Sequence, residues 1–173
     1  MRELNFRLCQ PSLAGVKGAK GYAQMARSRE ILSQPTIRQS VDAHAMAWFP
    51  KECCGLLVSG PDGDGAVLTH NGIDEAHAES PKEYERTGET GYLLDPAEIL
   101  RSEKRGETLV AIFHSHCGVG AYFSDEDKKR ALAPWGEPWF PDAEYVVLDA
   151  QKAGVEGFKV FKWSEDAGDF IER

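Results

Sequence analysis

The sequence predicts one α/β domain, a mixed β-sheet flanked by helices, and three features carry that expectation. Residues 53–58, 109–113 and 145–148 are short apolar runs of the kind that form buried strands, and residues 157–163 alternate with the period of two that a half-buried strand requires. Stretches with helix start and stop signals lie between and before them. With 173 residues, 42% hydrophobic and 28% charged, the chain has the size and composition of one globular domain with a substantial core.

In chain order, residues 1–36 read as a basic N-terminal arm, flexible or docking on the body, because residues 9–24 hold Gly15, Gly18 and Gly21 with Pro11 and few large apolar groups. The domain proper is expected over residues 37–173. Ile37, Val41, Met46 and Trp48 make an imperfect helical stripe that Pro50 ends. The strand at 53–58 meets a strong turn, Pro61-Asp62-Gly63-Asp64-Gly65, after which residues 66–70 pair back as a hairpin. Residues 77–91 are polar and aperiodic, the mark of a surface loop. Asp95 as N-cap and Pro96 in the first turn open a helix reaching Arg105-Gly106. The strand at 109–113 runs into His114. Residues 124–132 read as a short helix, and 134–141 as a proline-interrupted loop whose Trp135 and Trp139 are expected as core or loop anchors.

Composition excludes several function classes. Residues 1–40 carry seven basic side chains against two acidic ones, a balance of +5, which leaves −13 on the rest of a chain whose net charge is −8. Nucleic-acid binding relies on clustered Lys and Arg, so an acidic body argues against nucleic acid as a partner. No apolar run approaches the roughly 18 residues of a membrane span, and the N-terminus shows no signal-peptide stretch, so no membrane partner and a cytoplasmic location are expected. Four cysteines, two of them adjacent, do not form a disulfide framework. With no Cys-x-x-Cys, a thiolate zinc knuckle and a zinc deaminase signature are both absent.

The most informative stretch is His114-Ser115-His116, then seven residues, then Ser124-Asp125-Glu126-Asp127, read together with Glu52. On a strand His114 and His116 point to one face and can grip one ion, Asp127 can close the ligand set, and a fourth position is left for water. Each part also has an ordinary structural reading. A His-x-His pair can simply flank a cleft, and Ser124-x-x-Asp127 matches a helix capping box, which is compatible with a ligand in the first helical turn. Glu52 sits next to Lys51 at the start of a strand, yet it precedes a run that should be buried, where a carboxylate can collect a proton from activated water. His44, His70 and His77 have no ligand-spaced neighbour and read as surface or hydrogen-bonded structural groups. Cys117 should point away from the two histidines by strand alternation, as a small buried residue, although a thiol beside a metal can also be redox-sensitive or a substitute ligand.

Glu52, His114-Ser115-His116, the seven-residue gap, Ser124 and Asp127 resemble the signature of the JAMM (MPN+) metallopeptidases, zinc isopeptidases acting on ubiquitin and its relatives. The resemblance covers roughly residues 37–163, including the run from Pro50 to Leu57 and Asn71 with Pro81 ahead of Leu93-Leu94-Asp95-Pro96, and is most like the compact prokaryotic branch. It implies a single JAMM/MPN domain with a mixed, curled sheet flanked by helices, similar to cytidine deaminases. It implies one Zn2+ per chain on His114, His116 and Asp127, with Glu52 as general base and Ser124 as stabiliser of the tetrahedral intermediate. The implied substrate is a ubiquitin-like protein with a glycine-ended tail, a sulfur carrier or a bacterial conjugate, and its activating enzyme is a further expected partner. Alternatives are a non-catalytic zinc-containing MPN scaffold and a phage or cell-wall peptidase. One position departs from that branch, which usually has Pro after the second histidine where this chain has Cys117.

Overall fold

The structure, a computed structural model, describes residues 26–173. Its centre is a six-stranded sheet built from β1 (Cys54–Gly60), β2 (Gly63–Thr69), β3 (Thr108–Cys117), β4 (Glu144–Gln151), β5 (Gly154–Ser164) and β6 (Asp169–Glu172), in the order β2-β1-β3-β4-β5-β6. β3 and β4 pair in parallel and every other pair is antiparallel, which makes the sheet mixed. A parallel pair needs a crossover connection, and this one carries helix α5 (Asp125–Ala131).

Alternation along the central strands divides the apolar side chains between two faces. Leu57, Ala111, Phe113, Val146 and Leu148 meet Ile31, Leu32, Ile37, Val41 and Ala45 from α1 (Arg27–Leu32) and α2 (Pro35–Trp48). Leu56, Val58, Ile112, Tyr145 and Val147 meet Ile99 from α4 (Ala97–Lys104), Ala131 from α5, and Phe123, Phe161 and Phe170. Each central strand is thus buried on both sides, which is why it is read as a continuous apolar run. Gly55 lets β1 lie directly under the Phe113 ring, since a Cβ there would stand 2.4 Å from both Phe113 Cζ and the Val67 carbonyl.

The expected helices and strands are present, with three differences. The segment 26–36, assigned to the arm, is packed into the domain, while the remainder of that arm, residues 1–25, lies outside the described residues. What holds α1 is distant in sequence. The buried Glu144 carboxylate accepts hydrogen bonds from Arg27 N (3.1 Å), Ser28 N (2.8 Å) and Ser28 Oγ (2.5 Å), satisfying amides that the start of a helix leaves without partners. A second short helix, α3 (Ile73–Glu79), takes the first residues of the expected 77–91 loop. Strand β6 was not expected, because its four residues are too few to show a period. Trp135 and Trp139 are not core residues: they stack edge to face at 5.4 Å and remain 66% and 52% exposed. Among the described residues no helix is long and apolar enough to cross a membrane.

Replacing Glu144 with Ala leaves the first amides of α1 and the Ser28 hydroxyl buried without an acceptor. Urea unfolding of Glu144→Ala should show a loss of about 2–3 kcal/mol, with a lower midpoint and little change in slope.

Candidate metal centre

The site is built at the C-terminal end of β3. His114 and His116 have the same parity as Ile112 and project onto the face covered by α5, where both are buried. After His116 the chain must turn back toward α5, and Gly118 and Gly120 do this at φ values of 78° and 85° that favour glycine. Ser124 then caps α5. Its Oγ accepts from Asp127 N (3.1 Å) and donates to Asp127 Oδ2 (2.6 Å), and its own backbone N donates to the same oxygen (2.9 Å). The capping box and the ligand geometry coexist, since the box fixes Asp127 in the first turn with Oδ2 facing the histidines.

His114 Nε2 and His116 Nε2 lie 3.2 Å apart, and they stand 3.5 Å and 3.4 Å from Asp127 Oδ2. A tetrahedral ion bonded to nitrogen and oxygen at about 2.0–2.1 Å sets its ligand atoms roughly 3.3–3.4 Å apart. All three separations match that edge, so the group fits a divalent ion of zinc size with one position left over. Among the described residues it is also the one cluster of three or more His, Cys, Asp or Glu that can hold a metal.

The electrostatics prepare the ligands. Burial opposes ionisation of Asp127, yet hydrogen bonds with His114, His116 and Ser124 hold its carboxyl well below the usual carboxylate range. Burial pushes His114 down toward the neutral form a metal needs. His116 is desolvated too, but its contacts with Asp127 and the charge of Glu52 raise its pKa overall. Metal binding must therefore displace protons, and affinity weakens as pH falls.

Glu52, 5% exposed, lies two residues before the first residue of β1. Cys54 lies across from His114, and continuing this antiparallel register brings Glu52 across from His116. Burial, reinforced by the Asp127 charge, pushes the Glu52 carboxyl up to about 7, against the opposing pull of His116 and Arg86. The backbone around it is pinned: Glu52 N donates to the Gly88 carbonyl (2.6 Å), Cys53 N to Ser115 Oγ (2.9 Å), and Ser115 N to the Cys53 carbonyl (3.1 Å).

Two tyrosines complete the walls without any motif to announce them. Tyr92 stacks on the His114 ring at 4.5 Å and 20°, and half-exposed Tyr122 meets His116 edge-on at 4.6 Å. Cys117 faces away from the ligands, its Sγ donating to the Lys51 carbonyl (3.3 Å), and burial pushes the thiol up to about 11. Its geometry keeps the thiol out of the His114, His116 and Asp127 group. His44, His70 and His77 pair with the Cys54 carbonyl, Glu75 and the Tyr84 carbonyl, as structural groups do.

A buried carboxyl raised above its unfolded value binds its proton more tightly when folded, so its share of stability is lost as pH rises from about 4.5 to 7. Glu52→Gln removes that loss. The metal-free variant should be more stable than metal-free wild type at pH 8, by on the order of 2–3 kcal/mol, and equal to it near pH 4, as read from urea unfolding at both pH values.

Residues 34–159 match the family described as prokaryotic homologues of the JAB domain. A solution structure of a protein from Desulfitobacterium hafniense superposes with a TM-score of 0.56 at 24% identity, over 80% of this chain and 86% of that one. Another, from Salinibacter ruber, gives 0.50 at 21%, over 81% and 86%. A crystal structure of a JAB1/MPN domain protein from Archaeoglobus fulgidus aligns at 13% identity over 79% and 90%, with a TM-score of 0.42. No curated protein matches the chain. The family match covers well over half of the sequence, including Glu52, both histidines, Ser124 and Asp127, and the chain therefore belongs to the prokaryotic JAB domains of the JAMM/MPN family.

Proposed function

We propose that this protein is a zinc-dependent peptidase or isopeptidase that cleaves after the C-terminal glycine tail of a ubiquitin-like protein. One observation carries the reading: a buried His-His-Asp group of tetrahedral spacing lies beside a buried glutamate whose pKa is drawn to about 7. A carboxyl that titrates near the working pH is suited both to take a proton and to give it back. Zinc held by His114, His116 and Asp127 would supply Lewis acidity, acidifying water and polarising a carbonyl oxygen.

The chain's own groups then divide the work. Glu52 receives the proton that water loses on attack and returns it to the departing amine nitrogen, so the peptide C–N bond breaks to an acid and an amine. Ser124 Oγ, after turning its proton from Asp127 Oδ2, donates to the oxygen that gains charge. Tyr92 and the buried Phe123 keep water from the His114 ring. The substrate in this reading is a ubiquitin-like protein, a sulfur carrier or a bacterial conjugate, with its activating enzyme as a further partner. An extended tail pairing as a strand beside the site would gain backbone hydrogen bonds, and glycines alone would pass close to the ligands.

The assay is cleavage of a Gly-Gly fusion to a ubiquitin-like protein by the zinc-loaded chain. Glu52→Gln should retain one zinc per chain and lose turnover by about a thousandfold or more. Equal rates would remove Glu52 from the reaction. His116→Ala should lose the metal by elemental analysis, and zinc retained in His114→Ala/His116→Ala would defeat the site. Ser124→Ala should lower kcat by about 10- to 1,000-fold with the metal retained, and cost about 1 kcal/mol of stability through the lost cap.

A further inference from the structure

The side chain of Asn71 is 2% exposed and has every hydrogen-bonding position filled by backbone. Its Nδ2 donates to the carbonyls of Glu52 (2.9 Å) and Gly91 (3.1 Å), and its Oδ1 accepts from Ile73 N (3.1 Å) and Leu93 N (2.9 Å). Two of those partners are the residues on either side of Tyr92, whose ring stacks on His114. A third is Glu52 itself. One buried amide therefore grips the proton carrier and the wall of a metal-binding imidazole together.

A second tie runs in parallel. Asp74 accepts from Gly88 N (2.7 Å) and from Lys51 Nζ (2.7 Å), and the Gly88 carbonyl takes Glu52 N. The polar loop after α3 is thus fastened to the backbone N of Glu52 through Gly88, while Asn71 holds the Glu52 carbonyl.

We propose that Asn71 is the positioning residue of this centre, with Asp74 in support: it aligns Glu52 and, through Tyr92, the His114 ring. It rests on the reading of Glu52 as proton carrier. Buried amides that satisfy four backbone groups lose that role on small changes, because each group left unpaired moves to find another partner. A displacement of about 1 Å at a reacting group costs on the order of a hundredfold in rate.

The full chain, loaded with zinc or with cobalt, provides the test. Asn71→Asp keeps an oxygen for the Ile73 and Leu93 amides but loses both donations. Asp74→Ala changes a side chain near the surface, releases Gly88, and decides the matter if Asn71→Asp does not fold. With rates expressed per bound zinc and measured well below the melting temperature, kcat should fall about 30- to 100-fold in Asn71→Asp and about three- to tenfold in Asp74→Ala. KM should stay within about twofold of wild type in both, since positioning of the proton carrier is felt in the transition state. A purely structural role would lower the active fraction and leave kcat per zinc unchanged. The visible bands of the cobalt form should shift in Asn71→Asp. A folded Asn71→Asp with wild-type kcat and wild-type cobalt bands overturns the proposal, as does wild-type kcat in Asp74→Ala when Asn71→Asp does not fold. If wild type cuts no fusion and Glu52→Gln behaves identically, the proposed activity has failed; the cobalt bands still decide on Asn71, a shift supporting it and unchanged bands overturning it.

Discussion

The open end of this domain depends on one carboxylate oxygen, Asp127 Oδ2, held out of water between two imidazoles, a hydroxyl and a backbone N–H. An isolated buried charge costs many kcal/mol, so it persists only where donors or a cation surround it. That requirement dictates much nearby. The strand must deliver two histidines to one face, the turn at Gly118 and Gly120 must reverse the chain, and a helix must begin where its cap can hold the aspartate.

The same requirement explains the sheet's register. Cys54 faces His114, Ser115 closes hydrogen bonds to Cys53 from both its backbone and its hydroxyl, and Glu52 is left at the level of His116. A slip of one residue would turn His114 and His116 to the α2 side and Ser115 to the site. The two apolar faces, with Phe113 and Leu57 on one and Ile112 and Leu56 on the other, oppose such a slip by burial alone. Core packing therefore secures the site, and one core side chain, Phe123, lies against the His114 ring.

Ionisation and stability pull against each other at Glu52. A carboxyl removed from water and set near Asp127 is a poor choice for folding, and it is this unfavourable setting that lifts it into the range useful for carrying protons. Nearby backbone ties to Gly88 and Asn71 hold the residue in a place its charge alone would not favour.

Several features were legible in the residues themselves. The parity of His114 and His116, the Ser124-to-Asp127 box, the helical stripe from Ile37 to Trp48 ended before Pro50, and the outward turn of Cys117 follow from local periods and capping, which act over a few residues. The metal group was legible as a spacing; that its atoms stand 3.2–3.5 Å apart was decided only when β3 and α5 packed together. Helix α1 escaped notice because Glu144, which holds its first turn, lies more than a hundred residues away. Tyr92 and the four bonds of Asn71 carry no pattern in sequence, since their partners come from three separate segments. Local physics determined which residues could be ligands, caps and core. Only the tertiary structure decided which of them meet, because long-range register and burial set both the distances and the pKa of Glu52.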